Sequence, residues 1–416
     1  MSKRNKNRKS NPQNAPEVQQ TLPAIADLPA VLPEVPSLVV PRPVVPSPID
    51  KQPLVETVVP VALAVQPQPK PVPPLDGVEI GPCPACGTAW VKVLFTSTDR
   101  LYATTSEEFQ VVECCSCRLI RLHPQPRPDQ LPSYYPRDYW FTPAEGTADR
   151  LEQWYRRLVL GDHVRFVHRA IVESKASGTV LDVGCGGGLF LRLLADRFQA
   201  APPGSGSVAR TNREQPLTLP SPFVGLDFSL DAAKAAWGHL GVPVTCGTLA
   251  SAPLAPGSCA AVTMFHVLEH LYDPGSYLEA AHGLLKPGGR LIVQVPNAGC
   301  WQFLLFGERW NGIDVPRHLI DFKTSDLDML LDACGFEVIR HKYFSLRDNP
   351  AGLATTLAVH LDPMSRRLRH VEESDRMRLF KDLVYTGLVV ASIPFTVLEA
   401  ACRAGSTIMV EARKKS

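Results

Sequence analysis

From Thr179 onward the chain alternates two kinds of hydrophobic pattern. Short, nearly unbroken apolar runs occur at TVLDV, FVGLD, VPVTC, AAVTMF and RLIVQVP. Between and after them, apolar residues recur every three to four positions, over Leu189–Phe198, Ser229–Leu240, Ser276–Leu285 and Thr324–Cys334. The first kind reads as strands buried on both faces and the second as amphipathic helices. FEVIRHKYF and STIMVEA add two strands near the C-terminal end. Strand and helix in alternation predict an α/β fold with a mostly parallel, doubly wound sheet of seven strands. Upstream, VKVLF and FQVVE read as strands and Leu151–Ser174 as an amphipathic helix.

Two stretches interrupt the alternation. Residues 199–222 are polar and rich in Pro and Gly, which predicts a disordered loop. Residues 346–405 read as a helical insertion carrying the apolar run LVYTGLVVASIPFTVLEAA at 383–401. That run is long enough to cross a bilayer, but Pro394 and Glu399 favour a buried or surface-docked helix over a span. The basic segment before it, RRLRHVEESDRMRLFK, leaves room for peripheral membrane contact through 346–405.

Composition sharpens the boundaries. Of 40 prolines, 17 fall within residues 1–77, where they remove backbone donors and forbid a helix, so this segment is expected to be a disordered tail. The expected order is then a tail at 1–77, a small cysteine-bearing element at 78–126, and an aromatic linker with an N-terminal helix at 127–175. The α/β domain follows at 176–345 plus 406–416, interrupted by the insertion. The aromatic cluster Tyr134, Tyr135, Tyr139 and Trp140 suits packing between neighbouring domains, with a substrate mouth as the alternative. A formal net charge of +2 gives no global field pointing to nucleic acid. The basic start lacks the ~7–15-residue apolar run of a secretory signal, so the expected location is cytoplasmic, with contact at the inner membrane face as an option.

The eleven cysteines are mostly scattered singly. The exception is Cys83-Pro-Ala-Cys86 followed by Cys114-Cys-Ser-Cys117. Two C-x-x-C knuckles on short strands present four thiolates to one tetrahedral ion, the pattern of a zinc ribbon. Cys115 should point away. A closed four-cysteine site has no open coordination position, so the expected Zn2+ is structural.

The densest chemistry lies at Val180-Leu-Asp182-Val-Gly184-Cys-Gly186-Gly-Gly188. A strand ends at an aspartate, and glycines then let the backbone approach a ligand closely before a helix begins. A dinucleotide fingerprint would place a glycine where Leu189 stands. The acid before the turn favours an ammonium-bearing ligand over a pyrophosphate. His266-Val-Leu-Glu269-His270 also fits an inverted zinc-protease motif, but it follows a buried strand at the ligand-binding edge of the sheet instead of lying inside a long helix.

These segments, in order, resemble the class I S-adenosylmethionine-dependent methyltransferases, in the small-molecule branch that carries an HxLEH segment and an N-terminal zinc ribbon. The resemblance covers about Gly81 to Phe344 and the last strand. It implies a Rossmann-like seven-stranded sheet and S-adenosylmethionine held by Asp182, Gly184, Gly186 and Gly188. It also places Asp227, ending the second strand, on the ribose hydroxyls. Thr248 stands where the family often has an acid near the adenine, and Ala260 where a second acid usually begins the fourth strand. His266 is expected to line the cofactor or acceptor cavity. For a hydroxyl acceptor, His270 beside Glu269 is the first candidate base and His318, in Pro316-Arg-His318-Leu, the second. Analogy with quinone-ring O-methyltransferases adds a small divalent ion, Mg2+, held by Glu269 and His270.

The expected acceptor is a small molecule, free or linked to a sugar or lipid. An RNA acceptor gripped by the ribbon is the first alternative, but no dense basic patch interleaved with aromatics supports it. A non-catalytic, cofactor-binding interaction protein is the second.

Overall fold

The computed structural model describes residues 77–136, 147–199 and 223–415. The expected tail and the 199–222 loop lie outside these residues but for positions 77 and 199, as do Tyr139 and Trp140. Among the described residues there are twelve strands: β1 (Val78–Glu79), β2 (Trp90–Ser97), β3 (Phe109–Cys114), β4 (Ile120–His123), β5 (Thr179–Val183), β6 (Phe223–Asp227), β7 (Val244–Cys246), β8 (Cys259–Phe265), β9 (Leu285–Pro296), β10 (Ile320–Asp321), β11 (Phe336–Lys342) and β12 (Thr407–Lys414). The α-helices are α1 (Thr147–Ser174), α2 (Leu189–Gln199), α3 (Leu230–Leu240), α4 (Pro274–Leu284), α5 (Trp301–Phe306), α6 (Thr324–Ala333), α7 (Asn349–Leu357), α8 (Pro363–Leu368) and α9 (Asp375–Ala401).

The larger sheet has the order β11-β12-β9-β8-β5-β6-β7. Strands β5 to β9 pair in parallel, and β12 inserts antiparallel between β9 and β11. The expected α/β, Rossmann-like sheet is therefore present. Its central strands are buried along their length because helices cover both faces: β8 reads CAAVTMF with six of seven residues buried. The helices are punctuated by their sequence. Ser229 caps α3 by accepting from the Ala232 N–H at 3.2 Å, and Asp273 with Pro274 opens α4 in the same manner. From β5 the chain winds outward to β6 and β7, then returns to β8 on the other side. The carboxyl ends of β5 and β8 thus form the switch point at which such sheets open a crevice.

The cysteine-bearing element is a second sheet, β1-β2-β3-β4-β10. Its last strand comes from the α/β segment: Ile320 and Asp321 pair antiparallel with Arg121 and Ile120. A boundary near 126 is therefore crossed by hydrogen bonds, and one apolar cluster runs from Cys83 and Val111 to Leu268 and Leu319.

The 346–405 insertion is helical, as its pattern implies. Helix α9 packs one side against α7, where Tyr385 Oη lies 2.9 Å from Thr355 Oγ1. It is long and apolar enough to cross a membrane, and 17% of its most apolar 18-residue window is buried. Glu399 is buried in this helix because both its oxygens accept from Gln302, the backbone N–H at 3.0 Å and the amide at 2.8 Å.

Candidate functional site

Asp182, at the end of β5, is buried and accepts from Thr263 Oγ1 at 2.5 Å. Burial, opposed by that hydrogen bond and reinforced by the Asp227 charge, pushes its carboxyl up to about 7. A carboxyl so placed gains from an arriving cation. Beyond it the chain turns on glycines with left-handed φ, +71° at Gly184 and +51° at Gly186. A Cβ on Gly184 would strike Val267 Cγ2 at 2.8 Å, so this glycine serves close packing. Gly186 and Gly187 face open space, where added side chains would fill the cradle and no protein atom does. Gly188, against Ala236 and Val242, lets the start of α2 pack closely on the end of α3.

Asp227, at the end of β6, is held by two backbone donors, Gly186 N–H to Oδ2 and Ser229 N–H to Oδ1, both at 2.8 Å. Burial pushes its carboxyl up against those bonds. Thr248 lies exposed after β7, its Oγ1 3.3 Å from Ser251 Oγ in a capping box. Asp182, the open glycine cradle and Asp227 thus line one edge of the crevice. Their character suits a ligand with a cationic group near Asp182 and hydroxyls near Asp227.

Across the switch point, β8 ends in a tight turn, not a long helix: Val267 leads into a 3-10 segment at Leu268–His270, and His266 has φ +56°. His266 Nδ1 lies 3.0 Å from Glu269 Oε1, and its Nε2 lies 2.8 Å from the Gln294 amide, which also donates to Asp348. Burial would lower this imidazole, but the carboxylates of Asp348 and Glu269 outweigh it and raise it to about 9.

His270 points elsewhere, toward His318, with ring centroids 4.7 Å apart. Glu269, His270 and His318 each offer one donor atom, all within 4.8 Å of one another. His266 is outside that group, so the two histidines of HxLEH do not form a protease-like pair. The tautomers follow from the partners. His270 Nδ1 faces the Arg317 carbonyl at 3.0 Å and His318 Nδ1 the Gly312 carbonyl at 2.8 Å. A carbonyl can only accept, so each Nδ1 carries the proton and each Nε2 presents a lone pair. Burial and the neighbouring His318 lower His270 to about 4. Glu269 Oε2 is buried with no hydrogen-bond partner. Two imidazole nitrogens and an orphaned carboxylate oxygen, so close together, are compatible with a divalent metal ion.

Sequence reasoning left Tyr135 between packing and a substrate mouth and gave no role to Arg317, Asp99 or Asp321. Tyr135 places its hydroxyl 3.1 Å from His270 Nδ1 and its ring 6.3 Å from that of Phe228, so it spans from the Asp227 strand end to the histidines. Tyr134 packs its ring edge-on against Phe109 at 6.2 Å. Arg317, fully buried, donates to both oxygens of Asp99 at 2.7 and 3.0 Å, to Asp314 and to the Tyr134 carbonyl. Asp99 belongs to the loop after β2, so the small sheet grips the turn that carries His318. Asp321, buried beside Glu269, has its carboxyl raised well above the usual range by burial and by the charges of Glu269 and Asp314.

In the small sheet, the thiols of Cys83, Cys86, Cys114 and Cys117 converge, their sulfurs all within 4.8 Å of one another. Cys83 and Cys117 are 3.6 Å apart, Cys86 and Cys114 3.5 Å. Cys115 is outside the cluster, and all eleven cysteines are free of disulfides. Four thiols in this arrangement are compatible with a tetrahedral metal ion such as zinc. Such an ion would be closed to substrate.

Residues 152–341 match the model of a family described as a methyltransferase domain. A Mycolicibacterium smegmatis protein named "Probable S-adenosylmethionine-dependent methyltransferase" is 29% identical over 188 residues, covering 44% of this chain and 60% of the relative. The ubiquinone biosynthesis O-methyltransferase of Pseudomonas paraeruginosa is 30% identical over 153 residues, 36% of this chain and 58% of that protein. The chain thus spans about 60% of the length of these curated relatives. Among solved structures, a SAM dependent methyltransferase from Archaeoglobus fulgidus aligns over 65% of this chain and 100% of its own, with 18% identity and a TM-score of 0.38.

Proposed function

We propose that this chain, which carries a class I S-adenosylmethionine-dependent methyltransferase domain, transfers a methyl group to a hydroxyl of a small-molecule, sugar-linked or lipid-linked acceptor. The observation that carries the reading is the pairing of two edges at one switch point. One edge has Asp182, the open glycine cradle and Asp227; the other has Glu269, His270 and His318. Val267, packed beside Gly184, holds the two together.

Asp182, Gly186, Gly187 and Asp227 hold the cofactor, with Thr248 at the adenine end. S-adenosylmethionine, when bound, supplies a methyl group already activated on a sulfonium, so the chain needs to align an acceptor and remove a proton. His270, held near 4, is a weak base at neutral pH. Its task is to orient the acceptor, and His318 Nε2 takes the hydroxyl proton. His266, whose Nδ1 lies 3.0 Å from Glu269 Oε1, fixes Glu269 in place.

The same three donors fit a divalent ion. Two imidazoles and one carboxylate suit zinc, manganese or iron(II) better than Mg2+, which takes oxygen ligands. An ion held there would lower the pKa of a bound hydroxyl.

The test is incubation of purified protein with methyl-labelled cofactor and a fractionated small-molecule and lipid extract, followed by mass spectrometry of the labelled species. His318→Ala should slow labelling by about 10²–10⁴-fold with cofactor affinity unchanged by calorimetry. Unaltered labelling in that variant removes the proton-transfer role, and absence of cofactor binding to the wild-type chain removes the whole reading. Metal analysis after mild chelation, in wild type and His318→Ala, separates the ion from the base.

A further inference from the structure

The insertion leaves a large apolar surface that the fold does not cover. On α9, Phe380, Leu383, Val384, Val390, Val397 and Leu398 are all exposed and recur at helical spacing along one side. They extend over about 27 Å at 1.5 Å per residue. Alongside, the Trp301 ring lies 6.2 Å from that of Phe395 and so brings α5 against α9. Leu304 and Leu305, on the same side of α5 as Trp301, are 82% and 63% exposed. A contiguous patch of this kind marks an interaction surface.

We infer that the exposed side of α9, with Leu304 and Leu305, lies in the plane of a lipid bilayer surface. Three observations select lipid over a protein partner. First, residues 383–398 contain no charged side chain on any side of the helix. A helix pair in water is flanked by charges beside its apolar seam, and a protein interface has a polar rim. Second, the hydroxyls in this stretch are bonded within the protein. Thr386 donates to the Asp382 carbonyl at 2.7 Å, Ser392 to Leu388 at 2.7 Å and Thr396 to Ser392 at 3.0 Å, while Tyr385 meets Thr355. That internal satisfaction is what a hydrocarbon environment demands. Third, cations stand at both ends: Arg376 and Arg378 before the stretch and Arg403 after it, while Lys381 pairs with Glu373 at 2.8 Å. The acids Glu373 and Asp382 near the first end are engaged by Arg366. Long basic side chains at the ends of an apolar helix reach lipid headgroups.

The helix lies in the plane and does not cross, because its other side is committed to α7 and to Gln302 of α5. The docked surface is one helix away from the crevice. Asp348, bonded to Gln294 beside His266, immediately precedes α7, on which α9 rests.

The experiment is flotation of the full chain with vesicles of phosphatidylcholine containing phosphatidylglycerol, against vesicles of phosphatidylcholine alone. The expected result is co-flotation with both, stronger with the anionic lipid. It should fall by about tenfold or more in Leu383→Glu/Val390→Glu/Leu398→Glu. A second variant, Leu304→Glu/Leu305→Glu, tests the patch through a different helix and should also weaken flotation. Cofactor affinity and melting temperature, unchanged in both, show that they fold. A chain that stays at the bottom of the gradient overturns the inference. So does a stable dimer by light scattering that the triple variant converts to a monomer without any flotation. Flotation that withstands carbonate and shields α9 from protease identifies a span and overturns the in-plane placement.

Discussion

Replacing Asp99 by Asn is the most direct test of how the small sheet serves the candidate site. Arg317 is fully buried, and Asp99 provides two of its carboxylate contacts; Asp314 and the Tyr134 and Val315 carbonyls take its other hydrogen bonds, and the Tyr102 ring covers the guanidinium at 4.5 Å. Removing one partner of a buried ion pair costs about 3–5 kcal/mol, because the other charge stays in place without compensation. Asp314 remains, so the lower end of about 3 kcal/mol is expected. With m near 3 kcal/mol per molar, that is a fall of about 1 M in the urea midpoint.

A second route to the magnitude is the titration of Asp99 itself. Burial opposes its ionisation, but Arg317 overrides burial and lowers the carboxyl from 3.8 to about 2. The folded value is depressed, so its contribution is present above 3.8 and disappears as pH falls through 2. The shift corresponds to about 2 kcal/mol. The stability difference between wild type and Asp99→Asn should therefore be full at pH 5 and should shrink toward pH 2. Because the Arg317 carbonyl fixes the His270 tautomer, methyl transfer should also lose kcat while cofactor affinity holds. A midpoint within about 0.2 M of wild type, or a difference that does not vary with pH, refutes the clamp.

The remaining predictions address the other parts of the site. Asp227→Ala and Gly186→Val should each weaken S-adenosylmethionine by at least tenfold in calorimetry, the first by removing a carboxylate from the ribose position, the second by filling the cradle at φ +51°. Strong chelation of the four-cysteine site should lower the melting temperature of the whole unit in a calorimetric scan, because β10 joins β4 across the boundary; a change confined to the cysteine element would show that the sheets are independent. His270 should keep a neutral, Nδ1-protonated ring from pH 7 down to about 4 in long-range nitrogen–proton spectra of the metal-free protein, since burial and His318 lower it; a midpoint near the ordinary 6.5 would place it in solvent.

What could be read from the sequence and what could not divide along a physical line. The Cys83–Cys86 and Cys114–Cys117 knuckles and the Asp182–Gly188 turn are local, with spacing fixed by a short strand-turn geometry, so their neighbours along the chain suffice. The parallel strands were legible because burial on both faces leaves an unbroken apolar run. Asp99 and Arg317 gave no such signal: a buried ion pair 218 positions apart reads, in each half, as an ordinary surface charge. Tyr135 reads from sequence either as packing or as part of a substrate mouth, because an aromatic cluster beside prolines has no marker for which ring faces a histidine. The two-residue strand β10 is shorter than any periodicity can detect.

The same division explains why the i, i+4 spacing within HxLEH does not pair His266 with His270: the two face different partners. On a regular helix, positions i and i+4 share a side. Here His266 has left-handed φ and the segment turns tightly, so the partners are chosen by what tertiary structure brings near: Gln294 and Asp348 for His266, Arg317 and His318 for His270. The turn is held from outside, by the Leu319 N–H donating to the Glu269 carbonyl at 2.8 Å and, one step further, by the Leu122 N–H donating to Leu319 at 3.1 Å. Leu122 lies in β4 of the cysteine-bearing sheet. The Glu269–His270–His318 edge of the crevice is therefore built on the small sheet, and the Asp182–Asp227 edge on β5 and β6. Damage to the cysteine element should reach proton removal before it reaches cofactor binding, an order of failure that a partial chelation series, read by both calorimetry and turnover, can resolve.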